Sequence, residues 1–98
     1  MAKFCTTAGI AHGLEELIIE AQQEIILVSA YVQIHKLVMQ RLHDAAARNV
    51  SIKLVYRIDA RNPASELDKL TALPTLQAYG IKNLHAKCFM NEHSMLIN

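Results

Sequence analysis

Two short runs constrain this chain more tightly than anything else in it. Glu24-Ile25-Ile26-Leu27-Val28-Ser29 is β-branched and almost continuously apolar, and Val50 to Tyr56 sets Val50, Ile52, Leu54 and Tyr56 against Ser51, Lys53 and Val55. Each follows a segment with helical period. From Gly13 onward Leu14, Leu17, Ile18 and Ala21 share one face while Glu15, Glu16, Glu20 and Gln23 face away. Farther along, Ile34, Leu37, Val38, Leu42 and Ala45 do the same. Near-continuous apolarity marks a strand buried on both sides. Ile25 to Val28 and Val50 to Tyr56 are therefore predicted to be central strands covered above and below.

The remaining elements follow from local chemistry. Residues 3–7 alternate as a short strand, and the glutamates of the first helix suit a positive N-terminal end. Asn49 is a candidate left-handed cap for the second helix. Asn62-Pro63 reads as the N-cap and first turn of a third, which turns Leu67, Leu70 and Leu73 inward before Pro74 stops it. Thr75 to Tyr79 is a strand, Gly80 a turn, and Leu84 to Met90 with Ser94 to Ile97 a hairpin about Asn91-Glu92-His93. The order β-α-β-α-β-α-β-β-β defines an α/β fold, a mixed β-sheet flanked by helices, with its site expected in loops beyond the strand ends. The last, apolar strand is expected to leave an edge open to mispairing.

Composition narrows the function classes. The chain has 98 residues, enough for one core and not two, and is 52% hydrophobic with 19% charged residues. Nothing approaches the roughly 18 apolar residues of a membrane span, and the start lacks a secretory signal core, so a cytoplasmic location is expected. Ten basic and nine acidic residues give a net charge of +1, so any phosphate site must be local. Cys5 and Cys88 read as buried thiols in a reducing compartment. A zinc site from His85, Cys88 and His93 would have three ligands without the paired close spacings of structural zinc sites, and no metal is expected.

One stretch carries chemistry: Leu84-His85-Ala86-Lys87-Cys88-Phe89-Met90-Asn91-Glu92. On a strand, His85 and Lys87 lie two apart and point to the same face. An imidazole beside an ammonium can serve a phosphate, the lysine neutralising an oxygen and the histidine attacking phosphorus or moving a proton. Taken alone, such a pair is more often a chance feature of a solvated strand than a site.

The segment resembles the motif of the phospholipase D superfamily, histidine-any-lysine followed after four residues by aspartate. Val28-Ser29-Ala30-Tyr31, Ile52-Lys53-Leu54-Val55-Tyr56-Arg57-Ile58-Asp59 and the opening Thr6-Thr7-Ala8-Gly9-Ile10 resemble other parts of small bacterial members, in order and at suitable spacing. The resemblance implies a metal-independent phosphodiesterase without cofactor. In that family two motifs meet across a two-fold axis; one histidine forms a phosphohistidine and the other protonates the leaving oxygen and then activates water. Carried over, His85 and Lys87 are catalytic and Lys87 also binds phosphate. A single motif implies a homodimer.

Glu92 stands where the family has aspartate and is given the same structural role. The family continues with a small residue, a serine or threonine, and an asparagine that contact the phosphate; Met95-Leu96-Ile97-Asn98 falls where these begin. Residues 1–98 are thus expected to be a phospholipase D-like half-domain, the N-terminal part of a longer unit, and to lack turnover alone. Arg57 and Tyr31 are further candidates for substrate contact, against an ion pair of Arg57 with Asp59 or Asp68 and a half-buried tyrosine without function. The resemblance favours a nucleic-acid phosphodiester, because small single-motif members without lipid-binding additions are often nucleases, and the lack of a basic amphipathic helix counts against a phospholipid. The third class is a non-catalytic oligomerisation or nucleic-acid-binding module that retains the fold.

Overall fold

The computed structural model describes residues 2–4, 7–32, 34–59 and 64–97. Cys5, Thr6 and the Asn62-Pro63 pair lie outside them. The elements are β1 (Ala2–Phe4), α1 (Thr7–Glu20), β2 (Glu24–Ser29), α2 (Lys36–Ala47), β3 (Ser51–Arg57), α3 (Ala64–Thr71), β4 (Leu76–Ile81), β5 (Lys87–Asn91) and β6 (Met95–Ile97). Their order is the predicted one, and the strands form a six-stranded mixed sheet in the sequence β1-β6-β5-β2-β3-β4. β2, β3 and β4 are parallel; β5 runs antiparallel between β2 and β6; β1 lies parallel to β6. The last strand therefore has no free edge, because β1 pairs along the side that β5 leaves open.

β2 and β3 are central, but they are not equally covered on both faces. Buried and half-buried residues alternate along them: Ile25, Leu27 and Ser29 of β2 and Ile52 and Leu54 of β3 are buried. Register sets these beside Phe89 and Asn91 of β5, and Phe89 beside Leu96 of β6. Leu14, Leu17 and Ile18 of α1, Val38, Leu42, Ala45 and Ala46 of α2 and Leu70 of α3 join that same core cluster. All three helices thus pack on one face. The opposite face carries Ile26, Val28, Val55, Cys88, Met90 and Ile97, each half-buried. The apolar run in β2 reflects one fully buried face and one partly buried apolar face.

Several local expectations change for identifiable reasons. α1 begins at Thr7, so Glu15 and Glu16 lie beyond its first turn and Glu20 ends it, where a negative charge opposes the helix dipole. Arg48 offsets this by donating from Nη2 to the Ile18 and Ala21 carbonyls, both at 3.1 Å. Asn49 adopts the left-handed conformation expected of it, with φ 68°. Leu37, placed on the apolar face of α2 by its spacing, is exposed in the first turn. Gly80 is not a turn but part of β4, opposite Tyr56. A Cβ there would come within 3.0–3.2 Å of Ile58 side-chain atoms, so the bare glycine admits the segment that folds back from the end of β3. The turn falls later, at Asn83, with φ 59°.

Candidate active site at the strand-end edge

β5 starts at Lys87, not at Leu84. β2 ends at Ser29, and Ser29 pairs with Lys87, so β2 has no residue left to pair with His85. His85 lies two residues upstream in an irregular segment, and the same-face relation expected of two strand residues does not apply. The chain beyond Ser29 turns away, held by Ser29 Oγ donating to the Tyr31 carbonyl at 2.6 Å.

The topology gathers the candidates at one edge of the sheet. β2 and β3 both end there, and antiparallel β5 begins there. Lys87, Ser29 and Tyr56 are neighbours across three strands, a span of about 10 Å at ordinary strand spacing. Tyr31 follows two residues after Ser29 and is 64% exposed. Arg57 follows Tyr56. His85 and Lys87 are exposed, and neither side chain has a hydrogen-bond or ion-pair partner among the described residues. Two such side chains at a strand-end edge remain available to an anion.

Arg57 is engaged with Asp59. Its Nε donates to Asp59 Oδ1 at 2.9 Å and its Nη2 to Oδ2 at 3.4 Å. The hydrogen bond to Asp59 raises the guanidinium above its usual pKa despite desolvation, and the nearby Tyr31 adds to the effect. Asp59 also accepts the Asn83 backbone N–H at 3.2 Å. Its carboxyl is lowered by the Arg57 hydrogen bond first and by the Asn83 N–H next. Of the two acids weighed for Arg57, Asp59 is the partner. Asp59's second bond, to Asn83, had no sequence signal, because it depends on how two loops meet.

Glu92 lies at the other end of β5, on the opposite edge. Its Oε2 accepts the Gln22 and Gln23 backbone N–H groups at 2.7 and 3.0 Å, and Oε1 the Glu24 N–H at 3.4 Å. Desolvation by itself would raise this carboxyl, but its own N–H and those of Gln22, Glu24 and Gln23 bring it down to about 2. Asn91, expected in the hairpin turn, instead ends β5 and is buried. Its Nδ2 donates to the Leu17 carbonyl at 2.8 Å, and its Oδ1 accepts the His93 and Ser94 N–H groups, each at 2.7 Å. The period-2 alternation that places Phe89 on the buried face reaches Asn91 one step later and is the signal for it.

The remaining candidates separate. Cys88 is half-buried on the helix-free face beside Val28, and burial raises its thiol pKa. Among the described residues no group of three or more His, Cys, Asp or Glu side chains is placed to hold a metal ion. His85 and His93 flank opposite ends of β5. His35, exposed, caps α2, its Nδ1 accepting the Leu37 N–H at 3.3 Å.

A six-stranded mixed sheet with helices and a histidine-lysine pair at the strand-end edge defines an α/β domain of phospholipase D type. Residues 14–98 match the family described as cardiolipin synthase, PLD-like domain, and the chain belongs to that family. The fold is similar to that of Nuc, a phospholipase D family member from Salmonella typhimurium, with 17% identity and a TM-score of 0.65 over 83% of this chain. The chain spans 56% of that protein. It is equally similar, at 17% identity and a TM-score of 0.65, to TrmBL2, an archaeal chromatin protein described as showing a novel mode of DNA binding. That match covers 86% of this chain and 33% of TrmBL2. No curated protein sequence matches the chain. Among the described residues no helix is long and apolar enough to cross a membrane.

Proposed function

We propose that this chain carries half of a phosphodiester-cleaving centre, with His85 as the reacting imidazole and Lys87 as the phosphate ligand. The observation that supports it is the pair itself, exposed and without partners among the described residues, at the strand-end edge of a phospholipase D-like domain. Two copies supply the two imidazoles. A neutral His85 attacks phosphorus, a P–N bond forms and a P–O bond breaks. The imidazolium of the second copy gives its proton to the departing oxygen. That second imidazole, now neutral, takes a proton from water, whose oxygen attacks phosphorus and releases His85. Lys87 balances charge on the non-bridging oxygens, which grows toward the transition state.

Glu92 serves the centre at a distance by fixing the segment that enters β2. Tyr31 borders the substrate, whereas Arg57 reaches it only while remaining paired with Asp59. Nucleic acid is the favoured substrate, and its scissile phosphate is the group that His85 and Lys87 take. The test is a titration with orthovanadate, a phosphate analogue, in buffer stripped of divalent cations beforehand on a chelating resin. Saturable binding that shifts the resonances of His85 and Lys87 supports the reading, and binding that needs an added divalent cation contradicts it.

A second reading rests on the TrmBL2 fold, since a protein described as binding DNA carries the same architecture. On that reading the chain binds DNA without cleaving it. DNA affinity that persists undiminished in His85→Asn, with no product under any assembly state, favours this alternative.

A further inference from the structure

The end of β3 and the turn between β4 and β5 are braced together, and the brace sits immediately before His85. The Ile58 N–H donates to the Ile81 carbonyl at 3.0 Å, and Ile58 lies over Gly80 closely enough that a Cβ there would meet it. Asp59 then grips both sides. One of its oxygens accepts Arg57 Nε and the Asn83 backbone N–H together, at 2.9 and 3.2 Å; the other takes Arg57 Nη2. Asn83 is held at φ 59°, an uncommon conformation for a residue with a Cβ, and one that reverses the chain. Leu84, His85 and Ala86 follow with no strand pairing until Lys87.

His85 thus lacks the ladder hydrogen bonds that fix strand residues. Its position depends on the two ends of its short segment. The β2 ladder fixes the Lys87 end. We infer that Asp59 is the positioning residue that fixes the other end, by holding Asn83 in its left-handed turn, and so sets where the His85 imidazole is presented. This inference rests on the proposed role of His85. It assigns Asp59 no contact with substrate. The bond to Arg57 aims the carboxylate, and the bond to Asn83 transmits its position to the loop.

The test compares the 98-residue chain with Asp59→Ala, Asp59→Asn and Arg57→Ala by backbone relaxation and hydrogen exchange at residues 83–86, His85 imidazole resonances and orthovanadate titration. In Asp59→Ala the Asn83 amide should lose protection, residues 84–86 should gain fast motion, His85 resonances should move and vanadate affinity should fall several-fold. Methyl resonances of Leu27 and Leu54 should stay in place. Asp59→Asn keeps an acceptor for Asn83 and should restore much of the order; Arg57→Ala should perturb the loop less than Asp59→Ala. Unchanged motion at residues 84–86 and unchanged His85 resonances in Asp59→Ala would overturn the inference. Failure of wild-type vanadate binding together with a freed loop in Asp59→Ala would support Asp59 as the brace and defeat the phosphate-site reading alone.

Discussion

Lys87 stands opposite Ser29 in the antiparallel register of β5 and β2, so the first residue of one strand meets the last residue of the other. Ser29 is buried and bonded to the turn that follows it, while the Lys87 side chain is exposed. The ladder therefore fixes the backbone of an exposed cation that has no side-chain partner among the described residues. A preorganised charge costs little reorganisation when an anion arrives. Lys87→Ala should leave the fold intact, as judged by circular dichroism, and weaken orthovanadate binding by about tenfold or more, the range of a lost charge-assisted hydrogen bond. An equal affinity would show that Lys87 does not face the anion.

At the other end of β5, Glu92 makes stability depend on acid. Its carboxyl is held at about 2, against an ordinary value of 4.5. A depressed folded-state value means that its contribution is complete above pH 4.5 and is lost as pH falls through about 2. Glu92→Gln should lower the melting temperature at neutral pH and flatten its dependence between those limits. Parallel melting curves for the two proteins across that window would contradict this account of the N–H groups at Gln22 and Gln23.

Asn91 offers a test of the hairpin joining β5 to β6. Its side chain satisfies the Leu17 carbonyl and the N–H groups of His93 and Ser94. Asn91→Ala removes all three and should cost about 1–3 kcal/mol, the penalty for leaving buried polar groups unmet. Asn91→Asp, with no donor for Leu17, should be destabilising as well. Denaturant unfolding measures both.

Gly80 and Ile58 should be coupled. A methyl at Gly80 would lie 3.0–3.2 Å from Ile58 Cδ1, Cβ and Cγ1; the exposed outer atoms can swing aside, but the Cβ moves only with its backbone. Gly80→Ala should therefore cost on the order of 1 kcal/mol, and much of that should vanish in an Ile58→Gly background, which removes the Ile58 Cβ at 3.1 Å as well as the atoms beyond it. Additive effects in the double-mutant cycle would place the strain elsewhere.

Much of the architecture was legible because periodicity is a property of consecutive residues. Leu14, Leu17 and Ile18 announced α1, Val38 and Leu42 announced α2, and the β-branched run at Ile25 announced β2. Which face the helices cover was not legible. Ile26 and Val28 are as apolar as Ile25 and Leu27, yet only half-buried, and the difference arises from all three helices packing on one side. The His85 segment departs from its strand-like pattern for a related reason. Leu84 to Met90 alternates like a strand, but pairing begins only where β2 supplies a partner, at Lys87. Asp59 and Asn83 meet across 24 residues, a relationship that no local pattern encodes.

The central claim, that His85 and Lys87 form one phosphate-binding edge, is tested most directly by titrating the chain with orthovanadate in buffer stripped of divalent cations and following every backbone amide and the His85 ring. The account predicts saturable shifts centred on His85 and Lys87 that reach Tyr31 at the end of β2, absent in the His85→Asn, Lys87→Ala double variant. Shifts centred on Glu92 and His93 at the opposite edge, or binding that survives the double variant unchanged, would contradict it.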